Sequence, residues 1–292
     1  MPLLTGRKPT FMPIASGDPS IYISVDMEGC ADIVHWDEVR PSASDEYARS
    51  REIVTDEVNA VVAGAFDGGA EAVTVNDSHS TMRNLLTERL DQRATVVSGR
   101  LKPNFMLEGL TPEFSAAFFI AYHGAIGSAE AVMGHTYSPR VIFECRLNGA
   151  PIGELTINAA LAGAWGVPVT LVSGDRVTLD EAAMTLPWAR TVETKRSISY
   201  FAAECLSPSA VCAALRSAAC SACKVDGAKP FSLPTPIVME IDTYRTAQAD
   251  HLELIPSIKR TAARTIRFES DDFREVYRAL QAVIYLGAAA TA

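Results

Sequence analysis

The chain has 292 residues, 48% of them apolar, enough for one large core or for one large and one small core. Its formal net charge of -9 excludes a nucleic-acid backbone or an anionic membrane as the main partner, since both call for a basic patch. No stretch approaches the ~18 uninterrupted apolar residues of a membrane span, and six cysteines scattered along this length do not make a small disulfide scaffold.

Residues 1–20 carry Arg7 and Lys8 with no long apolar run after them, and Pro2, Pro9, Pro13 and Pro19 interrupt the segment. It reads as an irregular extension and not as a signal peptide, which points to a cytoplasmic protein. Ile21 to Asp26 is a short apolar run, expected as a buried strand. A long helix is expected from Asp45 to Phe66, with Ile53, Val54, Val58, Val61, Val62 and Phe66 at helical spacing. Ser44 offers its N-cap, and Gly68-Gly69 its stop. Ala72 to Val75 and Ala116 to Tyr122 are the second and third strands. Glu144 to Asn148 reads as a hairpin strand turning at Asn148-Gly149. An Ala-rich helix is expected over Thr156 to Trp165, then a fourth strand, Val167 to Val172.

Strands alternating with helices indicate an α/β layered domain over residues 21–189, with a mostly parallel sheet. From about residue 190 the character changes to a smaller α+β portion, residues 190–292. A helix is expected from Ser207-Pro208 to about Cys223, strands at Ile237 to Ile241 and Thr265 to Phe268, and a closing helix from Asp271 to Tyr285. Cys220 and Cys223 form a C-x-x-C, read as two small residues on an Ala-rich helix, since no second such pair exists to complete a structural zinc site.

Polar residues at the strand ends carry the chemistry. Asp26 and Glu28 lie two apart at the end of the first strand, so an extended chain turns them to one side. Two such carboxylates repel unless a cation or protons sit between them. The second strand leads into His79 and the third into His123. In open α/β sheets ligands bind beyond the carboxyl ends of the strands. Glu154, at the start of the next helical segment, completes a set of two imidazoles and three carboxylates. Such a set suits zinc, with cobalt or manganese as alternatives. It exceeds what one catalytic zinc takes, and suits two metals about 3.5–4 Å apart, an arrangement for hydrolysis. Taken singly, Asp-x-Glu at a strand end is a common solvated edge and a histidine after a strand a common loop residue. His35 and His251 fit no such pattern and read as surface or structural residues. His135 has no ligand-like spacing from His123, and reads either as a loop histidine or as a proton carrier or nucleophile beside the metals.

Ser24-Val-Asp-Met-Glu-Gly29, Val75-Asn-Asp-Ser-His-Ser80, Tyr122-His123, Met133-Gly-His135 and Pro151-Ile-Gly-Glu-Leu155 together resemble the signature blocks of the D-aminopeptidase family of dinuclear zinc metallopeptidases. The resemblance runs from Ile21 onward. It implies two zinc ions per chain, with Asp26 bridging them, Glu28 and His79 on one, and His123 and Glu154 on the other. It implies His135 as the catalytic residue, a nucleophile in the family's assignment, with acid/base or oxyanion support as alternatives. It further implies a decamer of two stacked five-membered rings that removes N-terminal residues, D-alanine best known, from short peptides. Where the family pattern has an arginine shortly after the histidine, this chain has Ile126, in a loop expected to shape the substrate pocket. The readings kept beside this one are a metal hydrolase of L-specific or other amides or of phosphoesters, and a ring-forming peptide-binding protein without catalysis. A phosphoester enzyme clamps its substrate with Arg or Lys, and the ligand blocks contain none, apart from Arg83 and Arg140 further off.

Overall fold

The structure is a computed structural model that describes residues 19–41 and 44–290; all of the N-terminal extension but Pro19 and Ser20 lies outside them. In chain order the elements are β1 (Ser20–Val25), α1 (Trp36–Val39), α2 (Asp45–Asp67), β2 (Ala72–Asp77), β3 (Ala94–Val97), β4 (Ala116–Tyr122), β5 (Ile142–Leu147), β6 (Ala150–Pro151), α3 (Glu154–Ala164) and β7 (Val169–Asp175). There follow α4 (Arg176–Thr185), β8 (Arg190–Ser199), β9 (Ala202–Cys205), α5 (Pro208–Ala222), β10 (Ile237–Thr243), α6 (Thr246–Leu252), β11 (Lys259–Arg260), β12 (Thr265–Ser270) and α7 (Phe273–Ala289). The expected α/β class holds. The main sheet has seven strands in the order β3-β2-β1-β4-β7-β8-β9, parallel except for β9. A second sheet, β11-β12-β10-β5-β6, is antiparallel throughout.

The chain winds outward from β1 through β2 to β3, then outward the other way from β4 through β7 to β8. The order therefore reverses between β1 and β4, the place where open parallel sheets leave a crevice. β1 is buried on both faces. Ile21, Ile23 and Val25 join one core with Val54, Val58, Val61 and Val62 of α2 and Val211 and Leu215 of α5. Tyr22 points into the other core, with Leu155 and Leu161 of α3, Leu280 of α7, and Met239 and Phe268 of the second sheet. Alternation with period two sorts one strand's residues into two cores.

Ser44 caps α2 by accepting from the Tyr47 amide (3.2 Å), and Ser207 caps α5. Elements that escaped the sequence patterns include β3, α4 and β8. β3 is a short run along the sheet edge, α4 has only Thr178, Leu179 and Ala182 buried, and β8 is largely polar. β8, β9 and α5 follow residue 190 yet complete the main sheet and its cover, whereas β5 and β6 precede it and join the second sheet. Cys220 and Cys223 are free thiols at the end of α5, and Cys223 Sγ donates to Ala65 O at 3.4 Å.

The loop after β1 is fitted to β4 by close backbone contact. Gly29 N donates to Ala121 O at 2.8 Å, and a Cβ on Gly29 would stand 1.9 Å from Tyr122 O. Ala121 has φ +61°, where the β4–β7 register is interrupted, so the strand bulges toward the loop. From the other side the loop is held by Lys195 of β8, a fully buried lysine whose Nζ donates to Glu28 O (2.5 Å) and to Ile33 O. Glu57 of α2 accepts from the Ala31 amide at 2.8 Å, while its second oxygen is buried without a hydrogen-bond partner.

Burial pushes the Glu57 carboxyl up to about 7, against the opposing pull of the Ala31 amide and Lys195. A carboxyl raised in the folded state favours folding below its unfolded value and loses that contribution as pH rises through 7. Glu57→Gln removes the titration while keeping the shape. Its urea midpoint should therefore fall less than the parent's between pH 5 and pH 8; parallel losses in the two proteins would contradict a protonated Glu57 in the fold.

Candidate metal centre

The crevice at the ends of β1, β2 and β4 gathers every residue of the sequence constellation. Asp26 leaves β1 with its amide on Ile120 O (2.9 Å). The backbone carries Glu28 to the same side two residues later. His79 follows β2 in a loop tied down by Asp77, whose carboxylate accepts from the Asn84 and Leu85 amides and from the Asn84 side chain. Lys102, buried, donates to Asn76 Oδ1 and Asp77 O beneath that loop, and burial lowers it to about 8. His123 follows β4 directly. Glu154 opens α3, in the first turn, where a carboxylate is favoured, and it accepts from the Tyr137 amide at 2.6 Å.

The five side chains and His135 are all buried. Asp26 Oδ1 and Glu28 Oε2 lie 3.1 and 3.0 Å from His79 Nδ1. Asp26 Oδ2 and Glu154 Oε1 lie 3.5 and 3.4 Å from His123 Nε2. Asp26 thus turns one oxygen to each histidine. His79 Nε2 lies 2.8 Å from Val39 O and His123 Nδ1 3.0 Å from Gly124 O. A carbonyl only accepts, so each ring donates outward and turns its other nitrogen toward the carboxylates. That is how metal-bound histidines are oriented. Glu28 Oε2 and His123 Nε2 are buried without a hydrogen-bond partner, close to their neighbours but not aligned with them. Orphaned donor atoms converging on common points fit ions held between them. Among the described residues, three groups of donor atoms lie within 4.8 Å of one another: Asp26, Glu28 and His79; Asp26, His123 and Glu154; and Glu28, His123 and His135.

Charge crowding points the same way. Burial, with the Glu28 charge adding to it, raises Asp26 to about 7. Burial alone would depress His79 and His123, but Glu28 and Asp26 together outweigh it at His79, and Glu154, Glu28 and Asp26 together at His123, so both stand well above the usual imidazole range. Protons thus take the places that cations would take, and metal binding would expel them.

His135 is set differently. Its Nδ1 lies 2.9 Å from Met133 O, and its Nε2 is 3.9 Å from Glu28 and 3.8 Å from Glu154, farther than any ligand contact above. Its ring stacks on His123 at 4.2 Å and meets Trp36 edge-on at 5.2 Å. Burial and the charge of His123 push it down, so it stands neutral at pH 7 beside the ligand shell. Asp26, Glu28, His79, His135 and Glu154 line one pocket of about 340 Å³. Ile126 lines a separate hollow with Phe143 and Met184, so the sequence departure falls outside that pocket. His35 caps α1 and His251 lies on α6, as surface or structural residues.

Sequence reasoning missed the supports: Lys195 and Lys102 are buried lysines on backbone carbonyls, and nothing in a linear pattern marks a lysine as buried. It also missed that Arg40, Arg100 and Arg140 line the pocket, because none lies in a ligand block.

Known proteins share this architecture. A D-aminopeptidase of Bacillus subtilis (strain 168) is 38% identical over 265 residues, covering 89% of this chain and 94% of its own length. The solved structure of the Zn-dependent D-aminopeptidase DppA from Bacillus subtilis, a self-compartmentalizing protease, superposes with a TM-score of 0.86 at 35% identity, covering 92% of this chain and 98% of that one. The family described as D-aminopeptidase matches residues 20–282, with the whole crevice inside the match. The chain therefore belongs to the D-aminopeptidase family of peptidases.

Proposed function

We propose that this chain is a zinc-dependent aminopeptidase that releases N-terminal residues, D-amino acids such as D-alanine among them, from short peptides and amino-acid amides. The observation that carries the reading is the pair of donor groups sharing Asp26, each with one outward-anchored histidine. Two zinc ions bound there would supply Lewis acidity for the scissile carbonyl and a water nucleophile active at neutral pH. Asp26 would serve both sites, Glu28 and His79 would complete one, and His123 and Glu154 the other. The hydrolytic reading is preferred over a non-catalytic peptide-binding ring because ligand atoms and pocket meet at one place.

The chain's own residues then do the rest. The loop 26–33, clamped between Ala121 and Lys195, holds Asp26 and Glu28 in register. His135, neutral and poised over the carboxylates, accepts a proton as the tetrahedral centre forms and returns it to the leaving amine. Nucleophilic attack by Nε2 is the alternative role for the same atom. Acid/base help of this kind is worth about 10²–10⁴-fold in rate.

Assembly follows the relative's self-compartmentalizing habit. A decamer of two five-membered rings is the reading for this chain. Its support is exposed apolar surface, including Met184, Ile198 and Leu206, which a ring interface would cover. With no helix long and apolar enough to cross a membrane among the described residues, a cytoplasmic location remains the reading.

Two substitutions separate ligand from catalyst. His79→Ala should lose one of two zinc ions by elemental analysis, with activity lost alongside it. His135→Ala should keep both while kcat falls at least about 10²-fold. Equal zinc loss in both variants would make His135 a ligand, and full activity in chelator-treated parent protein would end the metal reading. By light scattering, the particle should be roughly ten times the 31.4 kDa chain; a fully active monomer would refute the compartment.

A further inference from the structure

The pocket over the ligands has a charge division that the metal chemistry does not use. Among the described residues its only acids are Asp26, Glu28 and Glu154, all in the donor set. Its other charged residues are three arginines, Arg40, Arg100 and Arg140, all exposed. Many of the other arginines sit on acids, as in Arg49–Asp32, Arg93–Asp91, Arg146–Asp242, Arg216–Asp67 and Arg274–Asp272. The three at the pocket have no ion pair and no side-chain hydrogen bond among the described residues.

Two of them are nevertheless held in place. Arg40 Cζ lies 5.3 Å from the Trp36 ring centre, and that ring meets His135 at 5.2 Å, so one indole separates guanidinium from imidazole. Arg100 Cζ lies 5.8 Å from the Tyr285 ring, which packs on Phe105 and through it on Tyr137. A guanidinium over an aromatic ring is attracted to its face, and its fork of N–H donors can take a carboxylate bidentately.

We propose that these arginines, Arg40 foremost, bind the free C-terminal carboxylate of the peptide, so that the enzyme selects very short peptides with an unblocked C-terminus. The proposal rests on the aminopeptidase reading above. An N-terminal exopeptidase places the scissile bond at the ligands, and an extended chain gains about 3.3–3.6 Å per residue. The carboxylate of a dipeptide or tripeptide then emerges one or two residues beyond the floor, on the scale of the single indole that separates His135 from Arg40. Longer peptides carry their carboxylate past the rim, and an amide has no anion to offer.

The test compares D-alanyl-D-alanine with its C-terminal amide, with D-alaninamide as the reference substrate for the zinc-loaded enzyme. The free dipeptide should exceed its amide in kcat/KM by about tenfold or more, the scale of a charge-assisted hydrogen bond. Arg40→Gln and the triple Arg40→Gln, Arg100→Gln, Arg140→Gln protein should raise KM for the free dipeptide and bring the ratio toward one. Calorimetric binding of both dipeptides to His135→Ala protein, whose turnover is slowed, should show the same preference. If D-alaninamide is cleaved but the amide matches the free dipeptide, or the arginine variants weaken both alike, this proposal fails while the aminopeptidase reading stands. If none of the three is hydrolysed, that reading falls and takes the proposal with it.

Discussion

Everything in the crevice follows from one electrostatic constraint: three carboxylates, Asp26, Glu28 and Glu154, are held in a nearly dry space against two imidazoles. Bare negative charges do not stay there, because burial penalises each and the others repel it. The fold accepts the arrangement only with positive charge inserted between them. Protons serve poorly, since they quench the donors that make the site worth building; dications satisfy all three carboxylates and leave the imidazoles neutral. The orphaned Glu28 Oε2 and His123 Nε2 are the local record of that demand.

The rest of the architecture resists the collapse or drift of these groups. β1, β2 and β4 deliver the candidate ligands from adjacent parallel strands at the point where strand order reverses. Close glycine approach fixes the distances: Gly29 and Gly174 both press on Tyr122 O, so that a Cβ on either would collide with that oxygen. Lys195 and Lys102 bring buried cationic donors to backbone carbonyls behind the ligand loops and not to the ligand carboxylates themselves. The anchors stiffen the loops while leaving the ligand atoms available.

Much of this was legible in the sequence because it is local. The strand runs of β1 and β4, the Ser44 cap and the acidic or imidazole residues just past strand ends all depend on neighbours along the chain. Glu154 needed only its position at a helix start. What the sequence hid is what depends on contacts distant in the chain. β8 reads as polar because Thr194 and Lys195 are buried there by partners more than 160 residues away at Gly29 and Glu28. The interleaving of the two sheets across residue 190 cannot be seen in composition, since β5 pairs with β10 nearly a hundred residues later. Arg40, Arg100 and Arg140 come from three separate loops, so no spacing could announce that they share an opening.

The central claim is that two metal ions sit side by side in this crevice with Asp26 between them. Anomalous diffraction at the zinc edge, from crystals grown with zinc, tests it directly. The account predicts two peaks in each chain, one beside Glu28 and His79, one beside His123 and Glu154, with Asp26 touching both and His135 touching neither. A single peak, or one ligated by His135 in place of Glu154, would contradict it.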